Sequence, residues 1–345
     1  MTVGARKLWI SAAGLALVHI AVLSAGFLSP YDPVMQNRDL PFVPPMHPHF
    51  VDSTGKFHVR PFVHPWIARP SAGSLHYQED LSQIWEVRFF VGHEKSGNGT
   101  AQNSSLRLFG VDAPGYIFLV GTDDYGRDQL SRLLCGGQIS LFAGLLGAGI
   151  TLSLALFLGG IAGYFGSWVD DVIMRGAEIF MALPWIYLLL AVRAFLPLHL
   201  GARQTFFLLV SIIGLTGWAR PSRLIRGVVL SAKQRDYVRA ARGFGASWSY
   251  ILRRHVLPEA SSVALTQGAL LVPQYILAEI TMSFLGLGIG EPLPSWGNML
   301  AALQRYYVLN SYWWIAISGF ALVPVFLLYY GLSDALQARL GNAGS

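Results

Sequence analysis

Arg235, Arg239, Arg242, Arg253 and Arg254 crowd the segment QRDYVRAARGFGASWSYILRRHVLP, Gln234 to Pro258, in a chain that is 53% hydrophobic and only 13% charged. The segment holds no motif that would bind a nucleotide or perform catalysis. Glu279 is a second group with chemical potential: a carboxylate inside an apolar run, where ionisable side chains are costly and usually functional. A pathway-lining role, with Pro273 just upstream, and a structural pairing with a helix dipole or backbone donor are both open for it. The histidines at 47, 49, 58, 64, 76 and 93 are candidate metal ligands, but their spacing matches no zinc pattern, and the sequence assigns no metal. Arg175 and Glu178 have the spacing of a helical ion pair.

Enzymatic chemistry finds little footing. No GxxxxGK(S/T) phosphate-binding loop occurs, and Lys95-Ser96 lacks the preceding glycine such a loop needs. There is no HExxH pair and no evident Ser/His/Asp set, so a membrane enzyme or sensor is a remote alternative. No cofactor is implied. The single cysteine, Cys135, permits no internal disulfide. The net charge of +6 does not signal nucleic acid here, because basic residues in so apolar a chain mark cytoplasmic loops.

The elements that must position these groups are membrane spans. A soluble domain is about 25% charged, and a span needs roughly 20 apolar residues. Apolar runs fall at about Leu8–Leu28, Ile139–Tyr164, Val172–Leu196 (interrupted by Pro184), from Thr205 into the basic run at Arg220, Val263–Leu285 and Trp313–Leu332. The first follows Arg6 and Lys7, and cleavage near Ala25-Gly26 as a signal peptide is its alternative. This predicts an all-α polytopic membrane protein with six transmembrane helices. Arg220, Arg223, Arg226 and Lys233 join the loop arginines between spans four and five, so the positive-inside rule makes that side, and both termini, cytoplasmic. The reading divides the chain into 1–28 (a short N-terminus and helix 1), an extracytoplasmic region 29–135 of short strands and turns, and a core 136–340 with a cytoplasmic loop at 230–258.

Within that loop, Tyr237, Ala241, Phe244 and Trp248 fall on one helical stripe. Asp236 reads as its N-cap and Gly245 as a left-handed C-cap residue. A second helical piece, Ala246 to Val256, leads to Pro258. A basic amphipathic helix resting on anionic membrane lipid and a helix presented to a cytoplasmic partner are both compatible with the pattern.

YVRAARGFGASWSYILRRHVLP resembles the cytoplasmic loop signature of bacterial ABC importer permeases, Glu-Ala-Ala, three residues, Gly, nine residues, then Ile-x-Leu-Pro. Ala240, Ala241, Gly245, Leu257 and Pro258 hold the matching positions, while Arg239 replaces the usual Glu and His255 stands where Ile is common. GTDDYGRDQLSRLLCGGQISL (Gly121 to Leu141), GYFGSWVDDVIMR (Gly163 to Arg175) and AEITMSFLGLGIGEPLPSWGNML (Ala278 to Leu300) resemble further segments of the dipeptide/oligopeptide/nickel branch. The chain is thus similar to the second permease subunit of such an importer. The resemblance implies a type I ABC importer (MetI-like) permease fold in the bacterial inner membrane, with a long extracytoplasmic insertion between helices 1 and 2. It implies a non-enzymatic pore subunit importing peptides, or with the same machinery nickel, opines or other small solutes. It also implies partners: a second homologous permease, two ABC ATPase subunits and an extracytoplasmic substrate-binding protein. The loop residues Asp236, Tyr237, Arg239, Ala240, Ala241, Phe244, Gly245, His255, Leu257 and Pro258 would couple the ATPases to the pore.

Overall fold

The computed structural model describes residues 3–71, 74–93, 105–194 and 200–343; Lys95-Ser96 and Leu196 lie outside them. An uninterrupted apolar run carrying Arg6 and Lys7 at its start forms α1 (Val3–Leu23), and a single turn, α2 (Ala25–Leu28), follows. Then come β1 (His49–Val51), β2 (Phe57–Val63), β3 (Trp66–Ser71), β4 (Ser74–Glu79), β5 (Trp85–Glu86), β6 (Arg88–His93) and β7 (Ser105–Gly110). They pair as three antiparallel sheets, ordered β1-β2-β5, β3-β4 and β6-β7. Valine and aromatic residues recur in these strands, as half-buried pleated surfaces favour. Val43, Met46, Val63, Val87, Ile117 and Phe118 are buried together beneath them. The turn joining β1 to β2 is fixed by Asp52, whose carboxylate accepts the Thr54 and Lys56 N–H groups (2.9 and 3.0 Å) and the Thr54 hydroxyl (2.6 Å).

The rest is helical: α3 (Gln129–Phe165), α4 (Ser167–Ala182), α5 (Trp185–Ala194), α6 (Ala202–Thr216), α7 (Ala219–Lys233), α8 (Asp236–Gly243), α9 (Trp248–Ile251), α10 (Leu257–Phe284), α11 (Trp296–Ala301), α12 (Tyr306–Ser311) and α13 (Ile317–Ala343). Among the described residues, 4 helical stretches are long and apolar enough to cross a membrane, and up to 6 if the bent pairs α4–α5 and α6–α7 each count as one span. These are the six apolar runs of the sequence. Their details differ from expectation where local chemistry intervenes. Helix α3 begins upstream of the expected Ile139 because Asp128 caps it, accepting the Ser131 N–H and hydroxyl at 2.8 and 2.6 Å. The expected third span turns by 87° between α4 and α5, where Pro184 supplies no N–H and biases Leu183 to the extended conformation it adopts. The fourth bends by 45° between α6 and α7. At that bend a Cβ on Gly217 would lie 1.9 Å from the Tyr275 hydroxyl oxygen, so only glycine admits the approach. Pro273 and Pro324 lie inside unbroken helices, as packed membrane helices allow.

The chain separates into two compact units. One comprises Met1–Ala16, Ser140–Gly288 and Val323–Ser345; the other comprises Leu17–Ile139 and Ile289–Leu322. The second therefore adds Ile289–Leu322, which follows α10, to the strand-rich region.

Candidate functional site

The arginine-rich segment forms a helix, a turn and a second helix. Arg235, extended at φ −67° and ψ 140°, occupies the N-cap of α8. This corrects the expectation for Asp236, which is the first residue inside the helix, where its carboxylate still meets the positive end of the helix dipole. At the other end the Ala246 N–H reaches back to the Ala241 carbonyl (3.1 Å) and the Gly245 N–H to that of Arg242 (3.0 Å). That is a Schellman closure, and it requires the left-handed φ of +80° that Gly245 adopts. The chain reverses there, so the expected stripe from Tyr237 to Trp248 does not run along one helix.

Val238 supplies the inward face instead. It is buried with Ile225, Val229 and Ala232 of α7 and with Ile251, Val256 and Ala260, while Ala241 packs at the edge of that cluster. The opposite side is left bare: Phe244 is 92% exposed, and Tyr237, Trp248 and Tyr250 are each about half exposed. Ala240 and Arg239 are exposed as well, and Arg239 donates to the Gln234 side-chain oxygen at 3.0 Å. The Tyr237 hydroxyl (3.2 Å) and Arg235 (3.0 Å) both meet Glu259, tying α8 to the first turn of α10.

Ser247 caps α9, and a π-helical turn over Leu252–Val256 joins it to α10. In that turn the Leu257 N–H donates to the Leu252 carbonyl. The wide turn has a reason in Pro258, which has no N–H to give and crowds the carbonyl one α-turn back. His255 sits on it between the rings of Tyr237 and Tyr250, at centroid distances of 5.6 and 5.7 Å, and Leu257 is half-buried.

Glu279 is fully buried in α10 and accepts the hydroxyls of Ser140 and Ser283, each at 2.6 Å. Two donated hydrogen bonds are the satisfaction a buried carboxylate requires. Pro273 is also buried in α10. The other residues weighed from sequence do not assemble into sites. Arg175 and Glu178 are exposed and form no ion pair among the described residues. Among the described residues no group of three metal-ligating side chains converges. His58 pairs with Asp52 (2.9 Å), and His64 shares a 2.8 Å hydrogen bond with the Gln83 carbonyl.

One constellation was not legible in the sequence. Asp123 accepts Arg127 Nε at 2.6 Å, while Glu291 receives Arg127 Nη1 at 2.5 Å and Arg132 Nη2 at 2.8 Å. The Arg127 and Arg132 side chains are only 5% and 1% exposed, whereas Glu291 remains 45% exposed. Beside them Asp128 is fully buried, and burial pushes its carboxyl up to about 6 even though Ser131 hydrogen bonds favour the ionised form. Both participating stretches, Gly121–Leu141 and Ala278–Leu300, stand out in the sequence. The signal that joins them is unusual charge, two arginines in one and Glu291 beside Glu279 in the other, and more than 150 residues separate the partners.

The chain matches the family model described as binding-protein-dependent transport system inner membrane component over residues 155–342. It is similar to the dipeptide transport system permease protein DppC of Bacillus subtilis (strain 168), 35% identical over 221 residues that cover 64% of this chain and 67% of that protein. It is also similar to the oligopeptide transport system permease protein OppC of the same organism, 35% identical over 69% of this chain and 77% of that one. A solved structure of the MetNI methionine ABC transporter in an inward-facing conformation overlays 60% of this chain with TM-score 0.44 and 19% identity.

Proposed function

The chain belongs to the family of binding-protein-dependent transport system inner membrane components, and from that membership we propose that it forms half of the translocation pore of an ATP-binding cassette importer of peptides. The observation that carries the reading is α8, a two-turn helix closed at Gly245, anchored inward by Val238, and displaying Phe244 and Tyr237 outward. An exposed aromatic beside arginines is an interface anchor without an interface. Two ATPase subunits would receive this helix and its counterpart on a second, homologous permease, and a substrate-binding protein would deliver peptide on the opposite face. The chain itself supplies no phosphate-binding loop, so hydrolysis belongs to its partners. Closure of the ATPases would move α8 as a rigid body. The burial of Val238 against α7, and the tie from Arg235 and Tyr237 to Glu259 on α10, would pass that motion into the spans.

The relatives named for dipeptides and oligopeptides support a peptide cargo. In this reading both termini and the loop at 230–258 are cytoplasmic and residues 29–135 lie outside. Core residues 136–340 then hold the pore, with Glu279 and Pro273 as candidate pathway residues. The test is topology joined to coupling. A periplasm-dependent reporter should be active after Ser71 and silent after Gly245, and Phe244→Ala should weaken ATPase co-purification by roughly 1–2 kcal/mol. An active reporter after Gly245, or undiminished co-purification, contradicts the proposal.

A further inference from the structure

The 45° bend between α6 and α7 falls on two residues, Gly217 and Trp218. Pro221 accounts for it. Proline has no N–H to return to the Gly217 carbonyl one α-turn back, and its ring crowds that carbonyl. The Thr216 hydroxyl adds to the effect by donating to the Ile212 and Ile213 carbonyls at 2.8 and 3.3 Å, a local competition that bends helices. The break is nevertheless soft. Gly217 (φ −82°, ψ −7°) and Trp218 (φ −64°, ψ −26°) keep near-helical torsions, so the bend can open or tighten without crossing a steric barrier.

The side chains gathered on this soft joint set its angle. Thr151 of α3 is fully buried, and its hydroxyl donates to the Gly214 carbonyl, in the last turn of α6, at 2.9 Å. A hydroxyl has one proton, so in the 2.9 Å contact between Thr151 and the Tyr275 hydroxyl the donor is Tyr275 of α10. Tyr275 is itself buried, and its oxygen rests in the space that glycine leaves at 217. Three elements thus meet on the joint, all within one compact unit. From there α7 runs to the arginine-rich loop, where its Val229 and Ala232 are buried with Val238 of α8. A displacement of α8 is therefore a displacement of the far end of α7, and Gly217 is where that lever turns.

We propose that Gly217 and Trp218 form the pivot about which α7 swings when α8 is driven, and that Tyr275, held by Thr151, is the residue that positions it. The inference rests on the reading of α8 as the element a partner moves, while the pivot itself belongs to this chain alone. Loss of the Tyr275 hydroxyl leaves the ring packed and frees the angle of α7, so ATP is hydrolysed with less of the motion delivered to the spans. Tyr275 and Thr151 act through one contact, so removing both hydroxyls should do no more than removing either.

The experiment has two arms. In the first, the purified full-length chain carries spin labels at two exposed positions, Phe207→Cys in α6 and Leu224→Cys in α7, in a Cys135→Ser background. Tyr275→Phe and Thr151→Val should each broaden the distribution of label distances, and the double variant should match the single ones. An unchanged distribution in Tyr275→Phe overturns the pivot. In the second arm the same variants, without labels, enter the assembled importer. Co-purification of the ATPases should stay at the wild-type level while peptide transported per ATP hydrolysed falls by about fivefold, the order that one lost hydrogen bond produces. A purely structural role would lower the melting temperature and leave transport per ATP at the wild-type value, and that result overturns the positioning role. Additive losses in the double variant would mean two separate contacts and overturn the shared one. If the wild-type chain captures no ATPase, the reading of α8 fails, and the label distances still decide the pivot.

Discussion

Gly245 carries the sharpest single-residue prediction. Nothing lies within 4 Å of a Cβ placed there, so a side chain would meet no obstacle and only the φ of +80° opposes it. A β-branched residue in that conformation costs on the order of 1–2 kcal/mol. That is too little to unfold packed spans and enough to displace a two-turn helix. Gly245→Val should therefore leave expression and thermal stability in detergent near wild type, while ATPase stimulation by substrate in the assembled importer falls severalfold. Wild-type stimulation would show that the orientation of α8 is irrelevant. Asp128 makes a prediction in pH. Its folded value of about 6 lies above the ordinary 3.8 because burial disfavours the charge. The folded state thus holds the proton more tightly, and this group's contribution to stability falls as pH rises from about 4 through 6. Asp128→Asn, which keeps an acceptor for Ser131, should flatten the pH dependence of the melting temperature in that window; an unchanged slope would contradict the assignment. The residue scale was partly legible in sequence: the glycine was visible as a helix stop, but Asp128 reads as one more polar residue until its burial is known.

At the scale of elements, Val238 is the buried anchor of α8, beside Ala241 at the cluster's edge and the ties from Arg235 and Tyr237 to Glu259. Val238→Ala removes buried methyl groups from the contact with Ile225 and Val229, at a cost of roughly 1–2 kcal/mol. Because the rest of the core is untouched, that loss should appear as faster amide exchange confined to α8 rather than as global unfolding. Uniform acceleration across α7 and α10 would mean that α8 is an integral part of the bundle. The arginine network behaves differently. Replacing Arg132 by Met strands part of the Glu291 charge and opens a buried site, and removing one partner of a buried pair costs about 3–5 kcal/mol. The 45% exposure of Glu291 lets water take up part of that, so a loss near the lower end is expected. Proteolysis should then reach the segment around Glu291 in Arg132→Met and spare it in wild type. Element existence was legible because apolar runs of span length have few alternatives. Their ends were not. The upstream start of α3 depends on Asp128, the 87° break on Pro184, and the π turn on Pro258 acting upon the carbonyl one α-turn back. Tyr237 to Trp248 misled as a stripe because periodicity continues across a glycine that the backbone does not cross as helix.

Across the whole molecule, composition and charge placement gave the class, six apolar runs and a basic loop, before any contact was known. The strand-rich region was legible only as short strands and turns, because its three sheets are two or three strands each and one pairing joins separated residues, Phe62 to Glu86 and Val63 to Trp85. Glu279 was recognisable as an anomaly but not as a satisfied one, since Ser140 lies far from it in sequence. The proposed pore with partner ATPases makes a direct demand on transport. The decisive measurement is uptake of a labelled peptide into proteoliposomes containing this chain with the proposed second permease and ATPases, the proposed binding protein outside and ATP inside. Uptake should require every component, stop in Gly245→Val, and vanish with this chain alone, which should hydrolyse no ATP. Peptide accumulation without the ATPase subunits, or ATP turnover by this chain alone, would contradict a pore subunit driven from outside itself.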